Sequence, residues 1–523
     1  MDEVMEERIE KLRELKKNVV LGGGAQKIEK QHEKGKLTAR ERIDKLLDPG
    51  SFVELGGLVE HSRGNPADAI VTGYGEVDGR TVCIFSQDAT VQGGSIGVIH
   101  GLKMYRTIER AMQMRVPVIG LNDSPGARNP KLTDPKAMEE QATGAATDKH
   151  GGAVFFPNTQ ASGVVPQISA ILGSCAGISV YSPALTDFIF MVDKMSHMFI
   201  TGPRVVKSVL GEDVDFEELG GARVCARVSG VCDFRVKSED ECFGHIRKLL
   251  SFIPSSCEEK PPMIKADDDP DRYDDMLADI VPSDPQKSFD MHQVITRIVD
   301  NGDFFEVKPE FAGEMIVGFG RLDGKSVGIF ANNPMVRAGS LTVDSSDKQA
   351  RFIRFCDAFN IPLVGLVDTP AYQPGTRQEH AGIIRHGAKV LYALCEAVVP
   401  KIVVVIRKAY GGGNLGMGSV QGMNTDFIFH WPIMEMGVMG VAQTVDLYFG
   451  AFIQQAEDPV KFREEKIKEF RNMMSPLAMA SFCPYVEDVI EPRETRRVLI
   501  KSLRLLESKK VSRYPKRHGN MPL

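Results

Sequence analysis

The residues best suited to chemistry form a glycine-rich loop in the last third of the chain. Residues 407–418 read RKAYGGGNLGMG and directly follow the apolar run KIVVVI. A Gly-x-Gly-x-x-Gly spacing after a buried strand is typical of a dinucleotide-binding turn, and Glu435 lies about where such folds place a ribose-binding acid. The alternative is a turn that serves another ligand, since glycine lets a backbone approach a bound molecule closely.

Three other short patterns suggest chemistry but lack the necessary context. GFGRLDGKS from Gly318 has the wrong glycine spacing for a phosphate-binding P-loop, and an Asp-Gly hairpin explains it better. Ser95 in GGSIG fits the Gly-x-Ser-x-Gly pattern of a hydrolase nucleophile, but no strong strand leads into it. Cys175 in GSCAG offers a thiol, although a small buried cysteine in a tight turn is commoner than a nucleophile.

A glycine turn of the first kind occurs twice. The sequence GSCAGIS follows VPQISAIL in the first half of the chain and keeps its place after a strand, but it has lost the dinucleotide spacing. Consecutive N–H groups at such a turn can hold one oxygen, and preorganised donors stabilise a developing oxyanion by about 3–4 kcal/mol each. Two turns therefore predict two oxyanion holes, one for each of two reactants. Tight packing between strand and helix is the competing structural explanation.

The elements that position these turns are repeated as well. VDGRTVCIFSQD near Asp78 matches LDGKSVGIFANN near Asp323, and RVPVIGLNDSPG ending at Gly126 matches NIPLVGLVDTPA ending at Ala371, both at an offset of 245 residues. Asp-Gly between extended runs predicts a hairpin turn. Short β-branched strands alternate with helical stretches, which is the pattern of parallel strands joined by right-handed crossovers. The chain is therefore predicted to be a duplicated α/β protein.

The length and the linker pattern predict two domains. A chain of 523 residues exceeds the roughly 250–300 residues at which a single core stops growing. The polar, proline-rich stretch 256–285 predicts a linker between a domain at 1–255 and a domain at 286–523. Within the first domain, Thr38 and Glu41 predict a helix that begins with a capping box.

Composition excludes several classes of function. The formal charge of −6 gives no reason to expect nucleic acid or an anionic membrane as a partner. Nine cysteines without close pairs or metal-site spacing predict a reducing cytoplasm rather than a disulfide framework. No apolar run reaches the roughly 18 residues that a membrane-spanning helix needs.

The ordered motifs resemble the carboxyltransferase (β) subunits of biotin-dependent acyl-CoA carboxylases, such as propionyl-CoA carboxylase, and the related 12S subunit of methylmalonyl-CoA transcarboxylase. The blocks that carry this resemblance run almost end to end and include SQDATVQGGSIG, ASGVVPQISAILGSCAG, MFITGPRVVKSVLGEDV, EHAGIIRHGAKVLYA, WPIMEMGVMG and KRHGNMPL. The resemblance implies two tandem crotonase-like (ClpP/crotonase) domains per chain and a homohexamer. It places the active sites between the N-terminal domain of one subunit and the C-terminal domain of its dimer mate.

The resemblance also implies a reaction. A carboxyl group is transferred between carboxybiotin and the α carbon of an acyl-CoA, of the short-chain propionyl-CoA or methylmalonyl-CoA type. The coenzyme A thioester is expected on the first domain and biotin on the second. The chain has no Ala-Met-Lys-Met biotinylation sequence, so biotin is expected on a separate biotin carboxyl carrier protein that a biotin carboxylase subunit charges. No metal is expected in this subunit.

Family site residues carry over onto matching positions. The amides of Gly177 and Ile178 would hold the thioester oxygen as it becomes an enolate, and those of Gly412 and Gly413 would hold the ureido oxygen of biotin. Further acyl-CoA contacts are implied at Ser124, Gly126, Ala127, Arg128, Ala176 and Tyr181. Biotin-side contacts are implied at Ala371, Tyr372, Asn414 and Leu415.

Departures from the family pattern cluster on the acyl-CoA side and keep two alternatives open. Ile178 and Pro125 stand where the family usually has glycine, and the segment after Arg128 is longer than in propionyl-CoA types. Leu415 occupies a position linked in the family to acyl-chain choice. One alternative is the α subunit of a biotin-dependent, sodium-pumping acyl-CoA decarboxylase, which works with membrane subunits. The other is a repurposed relative that binds acyl-CoA without carboxyl transfer.

Overall fold

The computed structural model describes residues 2–60, 64–128, 154–481 and 486–522. The chain divides into two compact units, Met1–Glu259 and Lys260–Leu523. Most of the predicted linker packs with the second unit, because the Arg407 guanidinium donates to the backbone carbonyl oxygens of residues 282, 284 and 287 at 2.8–3.1 Å. The domain limits proposed from the sequence stay a prediction.

The first unit is an eight-stranded sheet with helices packed on it. Its strands are β1 (Val53–Leu55), β2 (Ile70–Val77), β3 (Arg80–Gln87), β4 (Val118–Ser124), β5 (Gln167–Ala176), β6 (Phe188–Val192), β7 (His197–Phe199) and β8 (Phe234–Val236). Its helices are α1 (Glu3–Val20), α2 (Ala25–Glu33), α3 (Ala39–Leu46), α4 (Val98–Met114), α5 (Phe155–Ala161), α6 (Tyr181–Ala184), α7 (Pro203–Leu210), α8 (Phe216–Gly220), α9 (Ala222–Arg227) and α10 (Glu239–Leu250). The strand order is β1-β2-β3-β4-β5-β6-β8, with β7 paired to β5.

The second unit repeats this arrangement. Its strands are β9 (Phe305–Val307), β10 (Met315–Leu322), β11 (Lys325–Asn332), β12 (Leu363–Thr369), β13 (Lys401–Tyr410), β14 (Phe427–His430), β15 (Glu435–Gly437) and β16 (Asp488–Val489). Its helices are α11 (Met276–Ile280), α12 (Met291–Ile298), α13 (Val343–Ala358), α14 (Thr376–His380), α15 (Ile383–Glu396), α16 (Gly411–Gly416), α17 (Val441–Gln455), α18 (Pro459–Met473), α19 (Pro476–Ala480) and α20 (Thr495–Leu505). The order is β9-β10-β11-β12-β13-β14-β16, with β15 paired to β13.

The matching strand orders confirm the predicted duplicated α/β fold. In each sheet the first hairpin is antiparallel and the following strands run parallel. Both hairpins turn through left-handed Asp-Gly pairs, with φ of 49° and 74° at Asp78 and Gly79 and of 55° and 74° at Asp323 and Gly324. These are the conformations that a type I′ turn requires. The predicted capping box at the start of α3 is also present.

The two units differ in how one region is filled. In the second unit, four buried phenylalanine rings pack with centroid distances of 4.8–6.1 Å between neighbours. They are Phe319, Phe352, Phe355 and Phe359. At the offset of 245 residues, the first unit has smaller or polar residues, which help to line an open groove of about 710 Å³. They are Tyr74, Thr107, Arg110 and Met114.

Candidate functional site

The two predicted glycine turns occupy the same place in their units. Strand β5 ends at Ala176 and continues into a 3₁₀ turn over Gly177–Val180, whereas β13 ends at Tyr410 and continues into α16. Gly177 and Gly411 open these turns with φ of 59° and 50°, a left-handed conformation that favours glycine. The structural counterparts of Gly177 and Ile178 are therefore Gly411 and Gly412.

In the first unit, one amide of the predicted pair is already engaged. The Gly177 N–H is donated to the carbonyl oxygen of Ile200 at 3.1 Å. Ile178 is partly exposed, and its N–H belongs to the first turn of a helix, where backbone N–H groups have no intrahelical acceptor. Ile178 is therefore the member of the predicted pair whose amide can reach a ligand.

The loop after β4 packs against this turn through Gly126. A Cβ atom on Gly126 would lie 2.6 Å from the Ala176 carbonyl oxygen and 3.9 Å from the Ile178 nitrogen, and the glycine φ is 107°. The neighbouring Ser124 is fully buried, and its Oγ accepts a hydrogen bond from the Gly126 N–H at 3.2 Å. The structure thus brings Ser124, Gly126, Ala176 and Ile178 together, with Ser124 shaping the loop.

Two further residues of the predicted acyl-CoA set lie at the rim. The side chain of Tyr181 is 45% exposed and packs edge-on against Phe155, with ring centroids 6.0 Å apart. Ala127 is exposed, and it forms a parallel bridge with Ile96 of the loop after β3. These two positions border the turn without contributing a charged group.

Arg128 is bound within the protein rather than free at the surface. Its guanidinium pairs with Asp68 through a short hydrogen bond, and it donates to the Ser95 carbonyl oxygen at 2.9 Å and to Ser95 Oγ at 3.3 Å. Arg128 therefore ties together the loops that precede β2, follow β3 and follow β4. Asp68 could not be predicted as a site residue from the sequence, because its partner Arg128 lies 60 residues away along the chain.

Asp68 sits in a strained turn. Ala67, Asp68 and Ala69 have φ of 53°, 53° and 62°, and left-handed backbone costs an L-residue about 1–2 kcal/mol. Lys103 Nζ donates to two carbonyl oxygens of this segment at 2.5 and 2.9 Å, and the backbone N–H of His100 donates to Asp68 Oδ2 at 2.7 Å. Burial lowers the pKa of Lys103 to about 8 and that of His100 to about 3. Strain maintained by so many contacts is typical of functional loops.

In the second unit, the turn is exposed to solvent at Gly412 and tightly packed at Gly413. Gly412 is exposed, whereas a Cβ atom on Gly413 would lie 3.2 Å from the backbone of Ala371 and 3.1 Å from Thr369 Cγ2. Asn414 is buried, and its side chain accepts a short hydrogen bond from Ser419 Oγ. Leu415 is 43% exposed. Of the predicted biotin-side residues, Ala371 and Leu415 flank the turn, while Asn414 supports it from within.

Tyr372 packs across the same helix. A Cβ atom would lie 3.1 Å from the Tyr372 ring at both Gly387 and Gly412, and 2.6 Å from its hydroxyl oxygen at Gly416. The hydroxyl is buried and has no hydrogen-bond partner among the described residues. Burial raises the pKa of Tyr372 to about 12. Tyr372 thus sets the spacing between α15, α16 and the loop after β12.

A buried carboxylate lies below each turn. Asp123 pairs with Arg42 at 3.1 Å and Lys36 at 2.5 Å, and Asp368 pairs with Arg407 at 2.8 Å. The two aspartates match at the offset of 245 residues, but their cations come from different elements. Loss of either partner would leave an unpaired buried charge, which is costly. Both ion pairs therefore stabilise the strand ends that carry the turns.

The other patterns noted in the sequence have structural roles here. Ser95 Oγ donates to the Gln92 carbonyl oxygen at 2.8 Å, and Cys175 is fully buried, which raises its pKa to about 12. Neither side chain is presented as a nucleophile. Glu435 accepts hydrogen bonds from the Tyr410 hydroxyl at 2.6 Å and from Arg471 Nε at 2.7 Å, so its carboxylate is not aimed at a ribose.

Most of the long segment after Arg128 falls outside the described residues. In the described part of the chain, no helix is both long enough and apolar enough to cross a bilayer. The same residues include no cluster of three or more histidine, cysteine, aspartate or glutamate side chains arranged to hold a metal ion.

Comparison with known proteins gives consistent matches along the whole chain. The carboxyl transferase domain family matches residues 30–521. A propionyl-CoA carboxylase carboxyltransferase subunit from Haloferax mediterranei is 49% identical, over 99% of this chain and 100% of the relative. A methylmalonyl-CoA decarboxylase subunit alpha from Veillonella parvula is 48% identical, over 99% of both chains. A crystal structure of the transcarboxylase 12S hexamer, with methylmalonyl-coenzyme A and methylmalonic acid bound, superposes with a TM-score of 0.92 at 44% identity, covering 99% of this chain and 98% of that one.

Proposed function

The chain belongs to the carboxyl transferase domain family, and on this basis we propose that it transfers a carboxyl group between carboxybiotin on a separate carrier and the α carbon of a short-chain acyl-CoA. It is a carboxyltransferase built from two tandem crotonase-like units. One observation carries the proposal most directly: each unit ends a central parallel strand in a glycine-led turn, and the second residue of each turn, Ile178 or Gly412, is at least partly exposed.

In the first unit, the Ile178 amide is the donor that we assign to the thioester oxygen. Loss of a proton or of a carboxylate from the α carbon places negative charge on that oxygen, and a preorganised N–H stabilises the charge without reorganising during the reaction. Gly126 lets the loop after β4 close against the turn. The ion pair between Arg128 and Asp68 anchors that loop, so these two residues contribute by positioning it. Gly177 retains its predicted place in the turn, although its own N–H is donated to Ile200.

In the second unit, the Gly412 amide is the donor that we assign to the ureido oxygen of biotin, with Gly413 behind it. Biotin, when its carrier presents it, supplies the transferable carboxyl group. The residues present suit such a group: Gly411 and Gly412 have no side chain to obstruct an approaching ring, and Ala371 and Leu415 offer apolar flanks. Binding both reactants in fixed positions supplies a large part of the rate enhancement by proximity.

The substrate class follows from the relatives. Two relatives, at 49% and 48% identity, are named for propionyl-CoA and methylmalonyl-CoA, and the transcarboxylase 12S structure was solved with methylmalonyl-coenzyme A bound. We assign the same pair of thioesters to this chain. Ile178 adds a branched side chain beside the turn, and β-branched side chains are stiff, so we expect a narrow preference for small acyl groups.

The physiological direction has two candidates. The chain is 49% identical to a carboxylase subunit and 48% identical to a decarboxylase subunit, and both reactions use the same half-reaction between thioester and biotin. We propose net carboxylation with a biotin carboxylase and a biotin carboxyl carrier protein as partners. Operation with membrane subunits of a decarboxylase is the second candidate. In either case we propose a homohexamer, as reported for the transcarboxylase 12S protein, located in the cytoplasm.

The proposal is tested by incubating the purified chain with free biotin and methylmalonyl-CoA and measuring the formation of propionyl-CoA and carboxybiotin. Acetyl-CoA, malonyl-CoA and methylcrotonyl-CoA serve as the specificity panel. Biotin-dependent conversion of methylmalonyl-CoA is the expected result. Tight binding of the thioesters without any biotin-dependent conversion would instead identify a repurposed acyl-CoA-binding protein. Copurified partners that confer ATP dependence or Na⁺ dependence on the native complex distinguish the two directions.

A further inference from the structure

A chain of three polar side chains lies immediately beside the turn of the second unit. The Tyr410 hydroxyl donates to Glu435 Oε2 at 2.6 Å, and Arg471 Nε donates to Glu435 Oε1 at 2.7 Å. Tyr410 is 8% exposed and the Glu435 side chain 13% exposed. Hydrogen bonds to a charged group are about twice as strong as neutral ones and are strongest where water is excluded. The three residues thus link β13, β15 and α18.

The first unit forms the same fold without this chain. In the matching strand register, Ala176 is the counterpart of Tyr410 at the end of the central strand, and His197 is the counterpart of Glu435 on the short strand that follows. Ala176 has no hydroxyl to donate, and His197 pairs instead with Glu217 at 2.8 Å. Because one unit dispenses with the Tyr–Glu pair, the fold does not require it. Its presence in the second unit points to a task that belongs to that unit alone.

The position of Tyr410 indicates what the task is. Tyr410 is the last residue of β13 and the N-cap of α16, so its backbone positions the backbone of Gly411 and Gly412. Its ring also lies against Gly440, where a Cβ atom would be 3.5 Å from Cε2. The Tyr410 ring is thus held by the bond from its hydroxyl to Glu435 and by its contact with Gly440, at the residue from which the turn starts.

Arg471 completes the arrangement in two ways. It offsets the negative charge of Glu435, which would otherwise oppose a developing oxyanion nearby. It also connects the turn to the hairpin of α17 and α18, whose contact includes Phe449 and Phe470 at a centroid distance of 5.5 Å. Through Arg471, the hairpin of α17 and α18 therefore contacts the residues that position the second glycine turn.

We propose that Glu435 is a positioning residue for the second glycine turn, holding Tyr410 so that the Gly412 amide is aimed at the biotin ureido oxygen. The assignment rests on the proposed function. Glu435 does not touch the reacting atoms; it acts through Tyr410. Its effect should therefore appear in the parameters of the biotin-side substrate and be absent from those of the thioester.

The test compares the substitutions Glu435→Ala, Glu435→Gln and Tyr410→Phe in the full-length hexamer. Free biotin and methylmalonyl-CoA are varied separately, and the affinity for propionyl-CoA is measured by calorimetry. A displaced turn costs about 10- to 100-fold in activity, so Glu435→Ala and Tyr410→Phe should lower kcat/KM for biotin by that factor. Glu435→Gln keeps an acceptor for the phenol and should recover most of the loss. Propionyl-CoA affinity should be unchanged in all three variants.

Arg463→Met is the matched control, since it removes an exposed pair with Asp446 on the same hairpin, with bonds of 2.6 and 2.8 Å. It should behave as wild type. The inference is overturned if Glu435→Ala retains wild-type kinetics for biotin, or if it weakens propionyl-CoA binding in the same proportion. A general loss of folded hexamer in Glu435→Gln would likewise show a structural role only. Absence of transfer in the wild-type chain would refute the proposed function, and this inference with it.

Discussion

Gly412 is the position at which the role of the second turn can be tested most directly. A Cβ atom there would lie 3.1 Å from Tyr372 Cδ2 and 3.5 Å from Cε2. Carbon atoms in contact prefer about 3.5–4.0 Å, so Gly412→Ala must separate the turn from the ring by at least about 0.4 Å. Tyr372 is held between Gly387 and Gly416, and it has little room to yield. The turn is therefore the part that moves.

The expected loss follows from this displacement. A misplacement of about 1 Å costs roughly 100-fold in rate, and we expect Gly412→Ala to lower kcat for biotin-dependent turnover by about 10- to 100-fold. Gly412→Val adds two methyl groups on top of the Cβ atom and should remove the aligned donor altogether. Loss of one oxyanion donor is worth about 3–4 kcal/mol, or about 100- to 1,000-fold in kcat. Overpacking costs about 1–3 kcal/mol of stability, which should leave the oligomeric state unchanged.

The assay is biotin-dependent conversion of methylmalonyl-CoA, with the oligomeric state followed by light scattering. Gly422→Ala is the control, because a Cβ atom at Gly422 would meet none of the residues that the structure describes within 4 Å. That variant should match wild type in both measurements. Turnover at the wild-type rate in Gly412→Val would refute the assignment of this turn as an oxyanion hole. A loss that is equal in Gly412→Val and Gly422→Ala would refute the steric reasoning.

Three other predictions concern the stability of the folded chain. Asp68→Ala should lower the free energy of unfolding in urea by about 3–5 kcal/mol, because it leaves Arg128 without its buried partner. The control Asp213→Asn breaks only an exposed ion pair and should cost under about 1 kcal/mol. Similar costs for the two variants would contradict the anchoring role of Asp68. The hydrogen bond to Glu306, with support from Asp290, raises the pKa of His292 from 6.5 to about 9. The stability that His292 contributes is thus complete below pH 6.5 and is lost as pH rises through 9, so the deficit of His292→Gln should shrink over that window; a constant deficit from pH 6 to 10 would contradict the linkage. Tyr372→Phe should leave the unfolding midpoint unchanged or higher, since it removes a buried hydroxyl that has no partner in the described part of the chain. A clear fall in the midpoint would show that the hydroxyl is bonded.

The sequence predicted those features of the fold that depend on local chemistry. Asp-Gly pairs at Asp78 and Asp323 predicted both hairpins because few other dipeptides adopt two successive left-handed conformations. The capping box at Thr38 and the internal duplication were predicted from the sequence as well. The position of the two glycine turns followed from their place after long apolar runs, which form the central strands β5 and β13.

The rest depended on contacts that sequence spacing does not reveal. The Gly177 amide is taken by Ile200, because the short strand β7 returns beside β5. The left-handed turn at Asp68 has no sequence signal, since the alanines on either side of it favour ordinary backbone. Hydrogen bonds from His100, Lys103 and Arg128 maintain it. Glu435 fits the spacing of a ribose-binding acid, yet the folded chain places Tyr410 and Arg471 against it. Tertiary neighbours decided each of these roles.

The unequal filling of the two units has a consequence for how each half tolerates substitution. Phe355 contributes to the interior of one half, and its loss would open a cavity costing about 3–5 kcal/mol. Arg110, at the matching position of the other half, is exposed to solvent, where replacements usually change stability by less than about 0.5 kcal/mol. The two units share one strand order, yet they tolerate substitution differently at matching positions. A mutational scan should therefore find larger losses of stability at Phe355 than at Arg110.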